Sequence, residues 1–382
     1  MNNEYKKYID LKDAYRGKNF NGYPLDRVLG SYLANYSWMS KFNKCRFLVY
    51  CIINNHEISI DGDYLISYQT PRESYQNILE NYILEYNIPT RSIQKIEMTK
   101  SFFLNIFSFL YYFIKYFKYN KSYSFFKNLI YNFFTAFSIR TISLLESKTL
   151  DCKQYTAFNS SYLYESFLTF YFRKRNIPTY SLQHGLYFNY LNEIPLDIIN
   201  YENICAENLI CWGNYTLDQI QSTVPKDVKL ILGKYPYTIK FSKNRMKKNT
   251  VLVFLPRLIY ISETKKLLNI LENTGDNYLI RLHPNTTQSL QAYIAKIPSF
   301  EVDENPKLEI TLAAYKYDFC IGFNTSSILE ATLYGQEIVQ YISKNDEFII
   351  DNILSFNSLE KLKEIKKLQV FPKVNKYYYF AL

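Results

Sequence analysis

Asp318-Phe-Cys-Ile-Gly-Phe-Asn-Thr-Ser-Ser327 is the stretch of this chain that decides the fold. A short apolar run passes into a polar turn, and an apolar helical pattern then continues to Tyr334. Strand, turn and helix in this order form the repeating unit of an α/β domain, in which ligands bind just beyond the carboxyl ends of the strands. We therefore expect a binding site at this junction.

Strand and helix patterns alternate on both sides of the junction. Strands are predicted at 154–158, 177–182, 209–213 and 229–233, and a second series runs from 250 to 341. Strands that alternate with helices of about 10–15 residues form parallel sheets. The sequence therefore predicts an α/β fold made of two halves, each built on a parallel sheet.

The predicted domain boundaries follow changes in composition. The N-terminal domain covers residues 1–240 and the C-terminal domain covers 250–342, and the linker lies in the basic stretch 234–249, which has little apolar periodicity. A helical tail at 343–382 is expected to pack back on the N-terminal domain. Two short strands are predicted nearer the N-terminus, at 46–53 and 63–69.

The composition describes a globular chain of basic character. Its 382 residues exceed the roughly 250–300 residues at which one core tends to divide into two domains. The net charge of +10 favours nucleic acid, an anionic membrane or an anionic substrate as partner. Six cysteines without a Cys-x-x-Cys spacing indicate reduced, buried thiols. Because the N-terminus has no apolar signal core, we expect a cytoplasmic protein.

A long helical region at 97–147 is dense in Phe, Tyr and Lys. Its most apolar stretch, 102–117, falls short of the roughly 18 uninterrupted apolar residues that a membrane span needs. Two interpretations remain open. The residues fit a helix pair lying against anionic lipid headgroups, which would make the protein peripheral on the inner face of the cell membrane. The alternative is a pair of core-packed helices with solvated lysines.

The junction quoted first offers groups that bind phosphate. A helix N-terminus presents free backbone N–H groups beside serine hydroxyls, an arrangement that binds phosphate. Gly322 is expected to let the chain turn sharply after the strand. Glu330 is expected to reach a ribose hydroxyl, to form a capping box with Ser327, or both. The predicted nucleotide or phosphate ligands are Asn324, Thr325, Ser326, Ser327 and Glu330.

A second strand end, Tyr278-Leu-Ile-Arg-Leu-His-Pro284, carries a cation and an imidazole. Because side chains alternate along a strand, Arg281 and His283 are expected on the same face. Both are predicted to contact the nucleotide phosphate and to stabilise the charge that develops on the leaving group. Pro284 ends the strand and fixes the loop. The alternative is a buried histidine beside a surface arginine.

A third strand end, Gln183-His184-Gly185, lies in the N-terminal half. Gly185 permits close approach of the backbone to a ligand, and both Gln183 and Gly185 are predicted to contact the acceptor or the donor sugar. His184 is predicted to be catalytic, as a general base that deprotonates an acceptor hydroxyl, and a structural histidine at a turn is the alternative. His56 has no supporting motif and is expected on the surface or in a loop.

Other chemistries lack the motifs that they need. The sequence has no P-loop, no Gly-x-Gly-x-x-Gly and no Gly-x-Ser-x-Gly, and no pair of histidines has metal-ligand spacing. Asp61-Gly62-Asp63 would be able to hold a metal or supply a carboxylate base, but a plain hairpin turn is favoured. We therefore expect neither a metal nor a cofactor.

Arg281-Leu-His-Pro284 and Thr325-Ser-Ser-Ile-Leu-Glu330 occur in this order about 40 residues apart. The pair resembles the nucleotide-binding half of bacterial GT-B glycosyltransferases that make surface polymers. These include sialyltransferases and polysialyltransferases, Kdo transferases and teichoic-acid polyol-phosphate transferases. Gln183-His184-Gly185 also occurs among surface-polysaccharide transferases, so the resemblance covers about residues 150–342.

The resemblance implies a GT-B fold, in which two Rossmann-like domains with parallel sheets face each other across a cleft. It also implies a metal-independent glycosyltransferase whose donor is a nucleotide-activated sugar, such as a CMP-sugar carrying sialic acid. The implied acceptor is a glycan or a lipid-linked molecule in capsule, lipooligosaccharide or wall-polymer synthesis. His283 would help the leaving group depart, Ser326 and Ser327 would bind the same phosphate, and His184 would face the cleft from the acceptor side. Asp61-Gly62-Asp63 departs from the acidic pair followed by glycine that many sialyltransferases carry as their base motif.

Three other functions remain open. A CDP-polyol phosphotransferase of teichoic-acid type would use the same phosphate contacts. A sugar-nucleotide epimerase of similar architecture would convert the donor without any acceptor. A nucleic-acid-binding protein would fit the positive charge and the aromatic residues. Because the basic residues form no dense run and no RNA-binding signature is present, we expect no nucleic-acid partner.

Overall fold

The computed structural model of the protein describes residues 3–60, 62–69, 73–100, 102–186, 198–236, 239, 245–284, 286–305, 307–343, 350–368 and 370–382. The chain divides into two compact units. Of the described residues, unit 1 holds those up to 236 together with Ala381, and unit 2 holds those from 239 to Phe380 together with Leu382.

Unit 1 combines a parallel sheet with helices and two small antiparallel sheets of two strands each. Its helices are α1 (Asn3–Lys12), α2 (Leu25–Val28), α3 (Gly30–Trp38), α4 (Lys41–Ile53), α5 (Glu73–Glu85), α6 (Phe102–Tyr116), α7 (Phe125–Glu146), α8 (Leu163–Arg173), α9 (Ile198–Glu202) and α10 (Asn214–Ile220). Its strands are β1 (Asn19–Phe20), β2 (Tyr23–Pro24), β3 (Asn54–Glu57), β4 (Tyr64–Tyr68), β5 (Ile93–Lys95), β6 (Glu97–Lys100), β7 (Gln154–Ala157), β8 (Thr179–Leu182), β9 (Asn208–Cys211) and β10 (Lys229–Leu232).

The main sheet of unit 1 has the order β10-β9-β8-β7-β4-β5, and every neighbouring pair is parallel. Its inner strands are buried, as Leu65 and Ile66 in β4 and Tyr155 and Ala157 in β7 illustrate. Buried strands of this kind are typical of parallel sheets covered on both faces. The chain first adds β5 to one side of β4 and later adds β7 to the other side, so the direction of strand addition reverses between β4 and β7.

Helices of unit 1 bury an aromatic core. The ring of Tyr32 in α3 lies 4.8 Å from that of Phe137 in α7 and 6.0 Å from that of Phe167 in α8, measured between centroids. The strand predicted at 46–53 is wrong, because these residues belong to α4. Phe47 and Cys51, one helical turn apart, are both buried, which is the spacing of a helix face packed on a core.

Unit 2 repeats the α/β plan. Its strands are β11 (Met246–Lys248), β12 (Val251–Phe254), β13 (Tyr278–Arg281), β14 (Phe300–Val302), β15 (Tyr315–Tyr317), β16 (Cys320–Gly322), β17 (Ile338–Tyr341) and β18 (Leu354–Phe356). Its helices are α11 (Ile261–Glu272), α12 (Gln288–Ile294), α13 (Leu308–Ala314), α14 (Ser327–Leu333), α15 (Leu359–Lys366) and α16 (Lys376–Tyr379).

The main sheet of unit 2 has the order β14-β13-β12-β16-β17-β18, again with parallel pairs only. All four residues of β12 are buried, from Val251 to Phe254. The chain adds β13 and β14 on one side of β12 and then β16, β17 and β18 on the other. The direction of strand addition therefore reverses between β12 and β16. The two parallel α/β domains predicted from the alternating pattern are confirmed.

Across the described residues, no helix combines the length and the apolar character that crossing a bilayer requires.

Candidate functional site

Each main sheet has a switch point, at which the direction of strand addition reverses. In open α/β sheets, ligands bind outside the carboxyl ends of the strands at this switch point. In unit 2 the switch point lies between β12 and β16, and in unit 1 it lies between β4 and β7. The residues singled out in the sequence follow the strands beside these two points.

The switch point of unit 2 gathers loops from distant parts of the chain. His283 follows β13, and Ser326 and Ser327 follow β16, on either side of the central strand β12. Because neighbouring parallel strands lie about 4.8 Å apart, the strand ends that carry these loops are separated by about 10 Å. The histidine and the two serines thus lie at one edge of one sheet, as the sequence-based hypothesis requires.

The loop after β16 turns at a residue other than the one predicted. Asn324, which is buried, adopts a left-handed conformation with φ of +47°, a region in which asparagine is tolerated better than most residues. Gly322 is not in that region. A Cβ atom at Gly322 would lie 3.2 Å from Cβ of Ile328 and 3.4 Å from Cγ2 of Thr325. The glycine is therefore required for close packing of α14 on the strand and does not make the turn, which corrects the prediction.

The capping box predicted for Ser327 and Glu330 would need Ser327 at the N-cap, but Ser327 is already the first residue of α14. Ser326 occupies the N-cap position without a side-chain bond to the helix backbone, whereas the Ser327 N–H donates to the Thr325 hydroxyl at 3.4 Å. Glu330 is half-buried one turn further on. Because α14 has only seven residues, the serine hydroxyls are the stronger part of the predicted phosphate site, and the helix dipole is the weaker part.

The loop after β13 holds His283 in a half-buried position. The carbonyl of His283 accepts the N–H and the hydroxyl of Thr286, at 2.9 and 2.6 Å, which closes a tight turn around the exposed Pro284. Strand β13 ends at Arg281, so the alternation that was used to place Arg281 and His283 on one face does not extend to the histidine. Their shared contact with a phosphate remains a prediction.

Arg281 binds an acid that the sequence did not single out. Its Nη1 donates to Oδ2 of Asp303 at 2.6 Å and to the carbonyl of Asn305 at 2.7 Å. Burial alone would raise the pKa of Asp303, but hydrogen bonds from Thr311, Arg281 and Asn305 outweigh it and hold that pKa below its ordinary value. Much of the positive charge of Arg281 is therefore balanced by Asp303 on the loop after β14.

Arg257 is a cation at the unit 2 switch point that sequence reasoning passed over. It follows β12 directly, between the loops that carry His283 and Ser326, and its side chain is exposed. The signal was present in the sequence, because a cation after a fully apolar strand and a proline lies at the carboxyl edge of the sheet. Arginine at this position is suited to an anionic ligand.

The switch point of unit 1 opens into a cavity of about 150 Å³. His184, which follows β8, lies at its wall with its ring centroid 6.1 Å from that of Tyr75 and 5.6 Å from that of Phe158. The lining residues are Tyr75, Phe158, Asn159, Tyr162, Glu165, His184 and Asn200. Aromatic faces combined with amide and hydroxyl groups make this cavity suited to a neutral polar molecule such as a sugar.

Gln183 fixes the loop that carries His184. Its side-chain Nε2 donates to the carbonyl of Gly185 at 2.8 Å and to the hydroxyl of Thr216 at 3.1 Å, and its Oε1 accepts the N–H of Trp212 at 2.7 Å. The side chain is only 1% exposed. Gln183 is thus a positioning residue in this structure, whereas a Cβ at Gly185 would meet no atom within 4 Å, so that Gly185 borders open space.

Glu165 is a buried acid in the cavity wall that the sequence analysis missed. It lies in the first turn of α8, and its Oε1 accepts the N–H of Phe158 at 3.1 Å. Burial raises the pKa of Glu165 well above its ordinary value, although backbone N–H groups that bind the carboxyl group act in the opposite direction. The carboxyl group therefore stays protonated to a higher pH than an ordinary glutamic acid. An acid in the first turn of an apolar helix after a buried strand was the available signal.

Two further predictions concern residues outside these sites. His56 was expected on the surface or in a loop, and this prediction is wrong. Its side chain is only 5% exposed, and the residue lies in β3. Of the predicted triplet at 61–63, Asp61 lies outside the described residues, and Asp63 forms an ion pair of 2.7 Å with Lys153. Within the described ranges, no group of three or more His, Cys, Asp and Glu side chains is arranged to hold a metal ion.

Neither a protein-family model nor a curated protein matches the chain. Solved structures do. The UDP-GlcNAc 2-epimerase of Methanocaldococcus jannaschii, in complex with UDP-GlcNAc and UDP, has a TM-score of 0.50 and 11% identity, and the match covers 83% of this chain and 97% of that one. The UDP-N-acetylglucosamine 2-epimerase of Rickettsia bellii has a TM-score of 0.46 and 10% identity over 83% and 92%.

The wall teichoic acid polymerase TagF is similar over 98% of this chain and 90% of that one, with a TM-score of 0.43 and 11% identity. At these identities the likeness concerns the fold alone. Together with the two parallel sheets, the likeness to the M. jannaschii structure confirms the GT-B fold class that the sequence predicted.

Proposed function

We propose that the protein is a metal-independent glycosyltransferase that moves a sugar from a nucleotide-activated donor to an acceptor. The observation that supports this proposal is that His283, Arg257, Ser326 and Ser327 follow three neighbouring strands, β13, β12 and β16, at the switch point of unit 2. A cation, an imidazole and two hydroxyls at one strand-end edge suit a nucleotide phosphate. The M. jannaschii protein of similar fold was solved with UDP-GlcNAc and UDP, which is compatible with such a ligand.

In the proposed reaction, unit 2 holds the leaving group. The bond between the anomeric carbon of the sugar and the phosphate oxygen breaks, and negative charge develops on the phosphate. Arg257 and His283 would stabilise that charge, while Ser326 and Ser327 would donate hydrogen bonds to the phosphate oxygens. Arg281, which is bound to Asp303, would contribute a weaker field.

Unit 1 would supply the acceptor side. The cavity at its switch point offers aromatic rings and amides to a sugar of the acceptor. His184 would take the proton of the acceptor hydroxyl, whose oxygen bonds to the anomeric carbon as the phosphate leaves. Gln183 would keep His184 in place, and Gly185 would leave room for the ligand backbone or ring.

The finer assignments rest on the resemblance of the short motifs. We propose a CMP-sugar as donor, and a surface glycan or lipid-linked molecule as acceptor in capsule, lipooligosaccharide or wall-polymer synthesis. The transfer would take place in the cytoplasm, at the inner face of the cell membrane, and would continue in the presence of EDTA.

The test is a thermal-shift screen of the full chain against CMP, CDP, UDP, GDP and their sugar conjugates, because a ligand of the native state raises its apparent stability. For the nucleotide that binds, isothermal titration then compares wild type with His283→Ala and with Ser326→Ala/Ser327→Ala. We expect both variants to bind the nucleotide at least about tenfold more weakly than wild type, since each loses a hydrogen bond to a charged group. The double variant Ser222→Ala/Thr223→Ala, which removes two hydroxyls from a turn of unit 1, is the matched control.

The outcome also separates the rival functions. Conversion of a donor without an acceptor would indicate an epimerase, and transfer of a polyol phosphate from a CDP-polyol would indicate a phosphotransferase. Salt-sensitive binding to random RNA, with no nucleotide binding, would indicate a nucleic-acid-binding protein. Unchanged nucleotide affinity in both unit 2 variants would overturn the proposed site.

A further inference from the structure

Helix α6 and the start of α7 present an unusually apolar outer side. Phe107 is 69% exposed, Ile114 is 76% exposed and Phe126 is 75% exposed. We call the whole set the hairpin surface, and its members are Leu104, Phe107, Leu110, Tyr111, Ile114, Phe117, Tyr119, Phe125, Phe126 and Leu129. A contiguous exposed set of this kind is typical of a binding surface, whereas single exposed apolar residues are not.

The spacing of the exposed residues assigns them to one side of α6. Leu104, Phe107, Tyr111 and Ile114 recur at intervals of three and four residues, which is the period of one helix face. The opposite side is anchored to unit 1, where Phe109 is buried and the side-chain amide of Asn105 donates to the carbonyl of Ile53 at 2.8 Å. The apolar outer side of α6 is therefore not the side that packs on the core of unit 1.

The charged residues of the segment that carries the hairpin surface all have one sign. The sequence contains no Asp or Glu from Met98 to Leu145. Lys115, Lys118 and Lys121 are exposed beside the apolar residues, and Lys115 lies 5.2 Å from the ring centroid of Tyr111. Arg140, which lies in the same segment, is buried and donates to the carbonyl of Ile52 at 2.7 Å, so it takes no part in this surface.

Buried amides hold the bend between the two helices. Asn132 accepts the N–H of Lys118 at 2.7 Å and donates to its carbonyl at 2.9 Å. Asn128 accepts the N–H of Asn120 at 2.8 Å and donates to its carbonyl at 2.9 Å. The bend therefore keeps its shape without a ligand, and its lysines and aromatic rings stay on the outside of the hairpin.

We propose that the hairpin surface docks on an anionic lipid bilayer, with its aromatic and aliphatic side chains in the headgroup boundary and its lysines on the lipid phosphates. An amphipathic helix with apolar and aromatic residues beside lysines binds in the plane of such a surface. The inference goes beyond the proposed transfer, because it depends neither on a donor nor on catalysis. It also limits the lipid-binding part of the region predicted at 97–147 to α6 and the start of α7, since the rest of α7 belongs to the core.

Charge complementarity favours lipid over a second copy of the chain. In a symmetric dimer, the same patch of each copy faces the other. Such a dimer through the hairpin surface would bring two sets of lysines together without a carboxylate of residues 98–145 to balance them. An anionic headgroup layer supplies the opposite charge and covers the apolar side chains in one step.

The experiment is co-sedimentation of the full chain with vesicles of phosphatidylcholine alone and of phosphatidylcholine mixed with phosphatidylglycerol. We expect binding to the anionic vesicles that weakens as salt is raised, because exposed charges are screened. Phe107→Ser/Ile114→Ser should lower the partition coefficient at least about tenfold, since two large apolar side chains leave the interface. The matched control is Ile310→Ser/Val370→Ser, which removes two exposed apolar side chains from unit 2.

A charge pair and a spectroscopic readout complete the test. Lys118→Glu/Lys121→Glu should abolish the preference for anionic vesicles, whereas Lys226→Glu/Lys229→Glu, with the same change in charge at exposed positions of unit 1, should retain it. The fluorescence of F107W should shift to the blue on vesicle addition. Absence of wild-type binding, equal loss in variant and control, or a dimer that Phe107→Ser/Ile114→Ser dissociates would overturn the proposal. Nucleotide binding by unit 2 is measured separately, so failure of one proposal leaves the other standing.

Discussion

The imidazole of His56 lies flat against the ring of Tyr164, with centroids 4.3 Å apart and planes inclined by 13°. Gln69 joins the pair from the end of β4. Its Oε1 accepts the Tyr164 N–H at 2.8 Å, so its Nε2 is the donor to His56 Nε2 at 3.1 Å. That imidazole nitrogen is therefore unprotonated. Burial, with Arg140 and Lys148 nearby, lowers the pKa of His56 to about 3.

His56 should make stability depend on pH in a defined direction. The unfolded chain binds a proton below about pH 6.5, whereas the folded chain resists it down to about pH 3. The stabilisation is therefore complete above pH 6.5 and is lost as the pH falls through this window. Between pH 7 and pH 5, wild type should lose about 2 kcal/mol more unfolding free energy than His56→Phe, measured by urea denaturation. Parallel pH profiles for the two proteins would show that His56 does not titrate in this way.

Glu165 should act in the opposite direction. The folded state keeps its carboxyl protonated to a higher pH than the unfolded chain does, so wild-type stability decreases as the pH rises above the ordinary pKa of glutamic acid. Glu165→Gln remains neutral in both states. The unfolding free energy of the variant relative to wild type should therefore increase from pH 5 to pH 8, by up to about 1.4 kcal/mol per pH unit. A relative stability that stays constant from pH 5 to pH 8 would mean that Glu165 is ionised in the folded protein as it is in the unfolded chain.

Two arginines at the same sheet edge should behave differently. Arg281→Ala leaves the carboxylate of Asp303, whose side chain is 2% exposed, without its cation, and should cost about 3 kcal/mol of unfolding free energy. Arg257 is exposed, so Arg257→Ala should change stability by less than about 0.5 kcal/mol. The same Arg257 variant should weaken nucleotide binding about tenfold in calorimetry. If Arg257→Ala bound nucleotide as wild type does, the phosphate site would need another cation.

Two glycines beside strand ends form a matched pair for substitution. Gly322→Ala places a methyl group 3.2 Å from Cβ of Ile328 and should cost about 1–3 kcal/mol in a thermal or urea melt. The methyl group added by Gly185→Ala meets no neighbouring atom. The unfolding free energy of this variant should therefore stay within about 0.5 kcal/mol of that of wild type. If Gly185 borders the bound acceptor, the same methyl group should raise the KM for acceptor and leave the KM for donor unchanged. Equal acceptor KM in both proteins would remove Gly185 from the site.

The strands of the two sheets were accessible from sequence because burial on both faces produces continuous apolar runs. Val251 to Phe254 is such a run, and polar turn residues mark its end. The segment 46–53 is equally apolar, but it forms a helix, because its neighbours in the fold cover Phe47 and Cys51 and not alternate residues. Periodicity over so short a run does not separate the two structures. Strand β18 is short and only partly buried, which left no pattern to find.

The site residues could be predicted from the sequence only where they follow the end of a predicted strand. His184, His283 and Ser326 each follow a strand that the alternating pattern marks. The partners of these and other residues lie far along the chain, as with Arg281 and Asp303, or His56, Gln69 and Tyr164. Whether a histidine is buried, or a guanidinium is balanced by an acid, is decided by tertiary neighbours, and a single sequence does not contain that information.

The two asparagines of α7 that bind the backbone of the helical bend have a consequence for kinetics. A disordered connection between α6 and α7 would lose chain entropy each time it inserted into a lipid layer. The ordered bend has already lost that entropy during folding. Adsorption should then proceed at the rate of encounter, without a slow ordering phase. Replacing Asn128 or Asn132 should slow attachment in stopped-flow mixing even where the lipid-facing side chains are untouched.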